Sequence, residues 1–130
     1  MGGRIVNIEY INIGICCLSA IGIPLLYYKV TKDIKQLSEL PNVVCKLSGL
    51  MAYCAPGTSS QETIQPYVDH VLECFGPNRI VWGSDWPVVN LGKGIQEWIS
   101  VSRNILNTLS EDEAKLIAHV NAEKIYKVSI

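Results

Sequence analysis

An apolar run that ends abruptly in a glycine, a hydroxyl and a carboxylate occupies residues 79–87, RIVWGSDWP. Residues 80–82 show no polar alternation, which is typical of a strand covered on both faces, and such strands occur mostly in parallel sheets wrapped in helices. In these folds the active site is built from the carboxyl ends of strands and the loops that follow them. The sequence therefore predicts that Asp85 lies at a sheet edge where chemistry can occur.

The composition indicates one globular unit and argues against several classes of protein. The chain has 130 residues, of which 48% are hydrophobic, and a formal net charge of −1 from 11 basic and 12 acidic residues. Its basic residues are scattered, so no nucleic-acid partner is expected. The five cysteines form no C-x-x-C pair, so neither a disulfide framework nor a structural zinc site is indicated. We expect a cytoplasmic protein.

Residues 1–28 form an atypical apolar segment. Residues 11–28 carry no charge, and their length approaches the ~20 apolar residues that span a bilayer. Asn12, Ser19 and Pro24 lower the hydrophobicity and the helix propensity of this stretch. We therefore interpret it as a strand-and-turn piece of a larger fold and expect no membrane association. A targeting segment or a membrane anchor is the alternative.

From Thr31 onward, helical and β-branched patterns alternate. Pro66 is compatible with a helix only in its first turn, and Ser110 with Glu113 forms a capping box that marks the start of the last helix. This alternation predicts an α/β fold with a parallel sheet. The predicted elements are a helix over 31–40, a strand over 42–50, a helix over 64–75, a strand from 80, a helix over 95–109 and a helix after 110.

Several separated motifs carry a family resemblance. They are PNVVCKLSGL at 41–50, FGPNRI at 75–80, GSDWPV at 83–88 and NA at 121–122. In this order they resemble the carboxyl-terminal part of amidohydrolase-related (amidohydrolase family 2) proteins, which are similar to fuconolactone hydrolases and pyrone-dicarboxylate lactonases. The resemblance implies a (β/α)8 TIM barrel, of which this chain holds the last two or three β/α units. Residues 29–130 then form the barrel portion, and residues 1–28 lie outside the resemblance.

The resemblance also implies the chemistry of the site. The acid of the GSD motif, here Asp85, would be the catalytic water activator or a metal ligand, with zinc or manganese as the divalent ion. The family's His-x-His of the first strand is absent, and both histidines, His70 and His119, lie in predicted helices. The implied substrate is a small lactone or a related cyclic ester or amide.

Strand alternation adds two candidate substrate-binding residues. If Asp85 faces the barrel lumen, Gly83 does too, and on the neighbouring strand Lys46 shares a face with Ser48. We therefore predict that Lys46 and Asp85 are charge neighbours near the mouth, with Trp86 lining it. The alternatives are a turn carboxylate at Asp85, a lysine that extends into solvent, and a tryptophan packed under a loop.

Two functions remain open from the sequence. The first is a metal-dependent hydrolase of the lactonase type. The second is a catalytically incomplete fragment or isoform that lacks the first half of the barrel and acts through association with a chain supplying the missing strands. Exposed strand edges and bared helix faces would favour the second.

Overall fold

The computed structural model describes residues 4–7 and 24–128, with side chains from Thr31 to Val128. A π-helical segment, Leu116–Val120, joins the last two helices, and short 3-10 turns occupy Pro77–Arg79 and Val88–Leu91. The strands and α-helices are β1 (Arg4–Asn7), α1 (Pro24–Ser38), β2 (Val43–Leu47), α2 (Gln61–Phe75), β3 (Ile80–Trp82), α3 (Gly94–Leu106), α4 (Glu111–Lys115) and α5 (Asn121–Tyr126).

The three strands form one sheet in the order β1-β2-β3, and both pairings are parallel. Cys45 lies opposite Ile80, and Leu47 lies opposite Trp82. The predicted α/β class with a parallel sheet is therefore confirmed. Because all three strands run the same way, their carboxyl ends meet at one edge of the sheet.

The helices pack against one face of this sheet. Alternate residues of β2 and the first residue of β3 join the hydrophobic core, as the period-2 geometry of strands requires. Core residues of α2 and α3 are spaced three or four apart, so each of these two helices presents an apolar stripe to the core. The strand residues in this core are Val43, Cys45, Leu47 and Ile80, and the buried helical ones include Ile34, Ile64, Val68, Trp98, Val101, Ile105 and Ile117.

Two helix details differ from the sequence prediction. The first helix begins at Pro24 and not after Thr31, so the predicted start is wrong. Proline is favoured in the first turn of a helix because backbone N–H groups have no acceptor within the helix there, so the N–H that proline lacks is not needed. The second helix begins at Gln61, capped by Ser60, which places Pro66 beyond the first turn. Proline has no N–H, so the carbonyl oxygen one turn earlier in the helix lacks its usual donor. Because Pro66 is exposed, water can bind that oxygen instead.

Two polar side chains brace the start of β3. The Arg79 guanidinium donates to the carbonyl oxygens of Ser38 and Leu40 at 2.8 and 3.0 Å, which ties β3 to the end of α1. The buried Asn121 amide donates to the carbonyl oxygens of Pro77 and Ile80 at 2.7 and 2.8 Å. These bonds give side-chain donors to backbone carbonyl oxygens at the end of α1 and at the start of β3.

Residues 8–23 of the atypical apolar segment lie outside the described residues, and the interpretation of that stretch stays a prediction. Residues 4–7 of the same segment form β1. Within the described ranges, none of the helices combines the length and the hydropathy needed to cross a bilayer.

Candidate functional site

Asp85 follows β3 at the carboxyl edge of the sheet, as predicted. Its backbone φ is 56°, a left-handed conformation that costs about 1–3 kcal/mol for most residues but is more accessible to Asp and Asn. Its carboxylate atom Oδ2 is buried, and its carbonyl oxygen accepts a hydrogen bond from the Val89 N–H at 2.9 Å. A cis peptide bond joins Trp86 to Pro87 immediately afterwards. The turn thus holds one carboxylate in a defined, partly enclosed position.

Trp98 anchors the backbone that leads into this turn. Its indole Nε1 donates to the Gly83 carbonyl oxygen at 2.8 Å, and its ring stacks on Trp82 with centroids 6.3 Å apart. Trp82 Nε1 in turn donates to Ser102 Oγ at 2.8 Å, and the Gly83 N–H donates to the Leu47 carbonyl oxygen at 3.1 Å. The segment before Asp85 is therefore held by α3 and by β2.

Lys46 lies on the face of the sheet opposite the helices. Trp82 contacts α3, so Gly83 points to the other face, and a Cβ atom at Gly83 would lie 2.6 Å from Lys46 Cε. The same Cβ would lie 3.3 Å from Ser48 Cβ. Lys46 and Ser48 therefore pack over Gly83, two residues before Asp85. The predicted ion pair between Lys46 and Asp85 stays a prediction.

The loops after β2 and β3 come together next to this face. Gly92 approaches the first loop so closely that a Cβ would lie 2.5 Å from the Met51 carbonyl oxygen and 3.2 Å from Ala52 Cα. The same Met51 oxygen accepts a hydrogen bond from Ser59 Oγ at 3.1 Å. The loop after β2 and the loop after β3 are thus in contact, and only glycine permits this approach at position 92.

Trp86 is 69% exposed, so no loop among the described residues covers its indole. Leu91, on the same connection, is 74% exposed. The Trp86 indole, which follows Asp85 directly in the chain, provides a surface on which a ring can stack. Contact of Trp86 with a substrate stays a prediction.

The two histidines lie in helical segments, as predicted. His70 Nε2 is 2.9 Å from the Thr31 carbonyl oxygen and 3.6 Å from Cys74 Sγ. The pKa of the Cys74 thiol is raised, mainly by burial and secondly by the negative charge of Glu73. His119 Nδ1 pairs with Glu123 Oε1 at 2.7 Å one helical turn away. Each histidine thus has a local structural partner.

Sequence reasoning assigned Trp98 to the core and missed its second role. It is 1% exposed and belongs to the core, but its indole N–H supports the strand that leads to Asp85. A buried tryptophan needs an acceptor for this group, and that requirement is the only sequence signal of the role. Ser48, 0% exposed, was placed on the correct face but given no function.

The described residues do not by themselves fit a zinc or manganese site. A catalytic zinc ion takes three protein ligands. Among the residues whose side chains are described, no three His, Cys, Asp or Glu side chains lie close enough to share an ion. Within this part of the chain, Asp85 therefore belongs to no cluster of three potential ligands.

Comparison with known proteins gives a consistent family. The family profile described as Amidohydrolase matches residues 30–128. The L-fucono-1,5-lactonase of Burkholderia multivorans is 36% identical over 98 residues, covering 72% of this chain and 33% of that protein. The enzyme of the same name from Burkholderia ambifaria is 45% identical over 58 residues, covering 45% of this chain and 20% of that protein. This chain therefore spans about a third or less of the length of these relatives.

Solved structures agree with the sequence comparison. A crystal structure of an amidohydrolase from Burkholderia multivorans with bound HEPES matches at a TM-score of 0.87 and 25% identity, covering 98% of this chain and 45% of that one. A second crystal structure described in the same way, but with bound zinc, matches at 0.85 over the same shares. The arrangement of strands and helices found here thus occurs within a larger structure.

Proposed function

Because this chain belongs to the amidohydrolase family, we propose that it forms the carboxyl-terminal part of a hydrolase that opens lactones or related cyclic esters and amides. The matched profile covers residues 30–128, and two relatives are named L-fucono-1,5-lactonase. The proposed substrate is accordingly a small sugar lactone. The cytoplasmic setting is part of the same proposal.

The position of Asp85 carries this proposal. Its carboxylate follows a parallel strand, has a buried oxygen atom, and lies two residues beyond the glycine over which Lys46 packs. In the proposed reaction the Asp85 carboxylate takes a proton from water while the water oxygen attacks the lactone carbonyl carbon. The carbon–oxygen bond of the ring then breaks, the leaving oxygen takes the proton from the Asp85 carboxyl group, and the product is a hydroxy acid.

Lys46 would stabilise the negative charge that develops on the carbonyl oxygen, because it is the ammonium group on the Gly83 face of β2. Trp86 would contact the sugar ring, since its exposed indole offers an apolar face next to Asp85. Zinc or manganese is proposed only for a complete site that includes ligands beyond the described residues; the second structural neighbour holds zinc.

The proposed architecture is the last two or three β/α units of a (β/α)8 barrel. Three consecutive parallel strands with helices on one face support it. A second candidate function follows from the sheet order, in which β3 pairs on one side only within the described residues. A chain of this kind would act through association with a polypeptide that supplies further strands.

The test is a lactone panel assayed with purified chain, with and without zinc or manganese. The panel contains L-fucono-1,5-lactone, a γ-lactone and a simple δ-lactone, and ring opening is followed by acid release at constant pH. We expect turnover that Asp85→Asn abolishes and that Asp33→Asn, which removes an exposed carboxylate from α1, leaves unchanged.

The outcomes separate the two candidates. Folded chain without turnover under any metal condition would contradict the hydrolase proposal for this chain alone. Turnover that appears only in a stable complex with another polypeptide, measured by light scattering after size-exclusion chromatography, would support the second candidate. Equal loss of activity in Asp85→Asn and Asp33→Asn would exclude a specific role for Asp85.

A further inference from the structure

A cavity of about 260 Å³ lies between α3 and the π-helical segment. Most of its wall is apolar, and two polar residues of α3 complete it. Its residues come from three separate elements, β3, α3 and the π-helical segment, so no local sequence pattern predicts it. The lining residues are Trp82, Ile99, Ser102, Arg103, Leu106 and Ala118.

This cavity is separate from the candidate active site. Trp82 faces the helices, where its indole donates to Ser102 Oγ, whereas Gly83 faces the opposite side of the sheet, where Lys46 packs over it. The cavity and the Lys46 side chain are therefore on opposite faces of β3. A molecule in the cavity would not be a substrate for Asp85.

The two polar residues differ in what they offer a ligand. Ser102 is 5% exposed, and its Oγ accepts the Trp82 indole proton, so the hydroxyl keeps its own proton for another acceptor. No other hydrogen bond of Ser102 is found among the described residues. Arg103 is exposed, and within the same part of the chain its guanidinium forms no ion pair. A buried hydroxyl donor and a cationic rim both favour an anion.

We propose that this cavity binds a small amphiphilic carboxylate, with an apolar ring against Trp82, Ile99 and Leu106 and its carboxylate at Ser102 and Arg103. The size fits this class, because an apolar cavity of about 150 Å³ holds benzene and drug-sized ligands need roughly 300–1,000 Å³. A ring with a short acidic side arm lies between these limits. This binding site is independent of the proposed hydrolase activity.

The experiment uses phenylacetate as the probe, with 2-phenylethanol and phenethylamine as neutral and cationic analogues of nearly the same shape. Binding to the full chain is followed through the Trp82 indole N–H signal in a proton–nitrogen correlation spectrum, assigned by its loss in Trp82→Phe. We expect phenylacetate to shift this signal at lower concentration than either analogue. The Trp86 indole signal, from an exposed side chain, serves as an internal control.

Three variants separate the contributions. Ala118→Leu fills the cavity and should weaken binding of phenylacetate and 2-phenylethanol more than tenfold. Arg103→Gln should weaken phenylacetate about fivefold and leave 2-phenylethanol unchanged, because only the carboxylate loses a partner. Lys32→Gln removes one exposed positive charge from α1 and should change neither.

Several results would overturn the inference. The first is that no probe shifts the Trp82 signal at ten times the highest expected dissociation constant, which is about 1 mM. The second is that phenylacetate and phenethylamine bind equally well. The third is that Arg103→Gln and Lys32→Gln have the same effect on binding. Because Arg103 is exposed, Arg103→Gln should fold even if Ala118→Leu does not, so the carboxylate preference remains testable.

Discussion

Lys46 occupies the space that a side chain at Gly83 would need: a Cβ atom built on Gly83 would lie 2.6 Å from Lys46 Cε and 3.5 Å from Lys46 Nζ. The glycine thus lets the long lysine stem cross β3 and bring its ammonium group toward the carboxyl edge. The path of the Lys46 side chain across β3 therefore depends on the glycine at position 83.

Gly83→Ala should therefore destabilise the chain by about 1 kcal/mol, the low end of the usual cost of overpacking, because the atoms it displaces are the end of a flexible side chain. In the Lys46→Ala background the same change should cost less, because the closest atoms have been removed, although Ser48 Cβ remains 3.3 Å away. Urea unfolding of the two single variants and the double variant measures the coupling, expected at about 0.5–1 kcal/mol. Strict additivity would show that the lysine does not cross this glycine.

At position 85, the glycine variant should be more stable to unfolding than the alanine variant, which is the reverse of the order in a helix. At a φ of 56° alanine is strained by about 1–2 kcal/mol, whereas glycine is not, so Asp85→Gly should be more stable than Asp85→Ala. Asp33 in α1 is the control, because in a helix alanine is favoured over glycine by about 1 kcal/mol. Free energies of unfolding from denaturant titration check the two pairs, and the same order at both positions would contradict the left-handed turn.

Trp98→Phe should cost about 1–3 kcal/mol, although the substituted ring retains the stack on Trp82. The variant leaves the Gly83 carbonyl oxygen without its indole donor in a site where water has little access. Trp86→Phe is the matched control, since Trp86 is 69% exposed and its replacement should change stability by less than about 0.5 kcal/mol. Equal losses in the two variants, measured by urea unfolding, would refute the anchoring role of the indole N–H.

Asn121→Asp should be among the most damaging single substitutions in the described chain. It replaces a double donor with a carboxylate that faces the carbonyl oxygens of Pro77 and Ile80, at a position only 3% exposed. A loss above about 3 kcal/mol is expected from a buried, unpaired charge. Asn104→Asp, at an exposed position of α3, should change thermal stability little. A similar melting temperature for both variants would disprove the bracing role of Asn121.

Glu113 should make stability depend on pH in acid. Hydrogen bonds from the Ser110 hydroxyl and backbone N–H, at 2.7 and 3.0 Å, lower the pKa of the Glu113 carboxyl from its usual range. A lowered folded-state pKa gives a contribution that is present above the unfolded-state pKa and is lost as pH falls through the folded value.

The effect of Ser110→Ala on the melting temperature should therefore be largest near neutral pH and shrink in acid. Carbon-detected NMR titration should show the Glu113 pKa returning toward its ordinary value in this variant. Ser100→Ala, at an exposed position within α3, should leave the titration of Glu113 unchanged. A Glu113 pKa that is the same with and without the Ser110 hydroxyl would contradict the capping box.

Local patterns predicted much of the fold. The apolar stripe of α2, the capping box at Ser110 and the β-branched run that became β2 were all found, because each depends on residues close together in the chain. The start of α1 was missed. Residues 24–30 are too poor in polar residues to show an amphipathic pattern, so the boundary was placed at the first visible cap, Thr31.

The candidate site was likewise predictable where it depends on neighbouring residues and not where it depends on distant ones. Alternation along β2 and β3 was enough to put Lys46 on the face of Gly83 and Asp85 at the strand end. It did not reveal the bond from Trp98 to Gly83 or the cavity beneath Trp82, because those depend on residues 15 or more positions apart.

The sequence alone determines the features that depend on residues close together in the chain. These are the hydrophobic period, the helix caps and the carboxylate that follows an apolar strand. Only packing in three dimensions settles which polar groups meet, because an indole proton or a guanidinium finds its acceptor where separate elements approach each other. Hydrogen bonds act over about 3 Å, whereas sequence periodicity carries no information on the relative placement of distant segments.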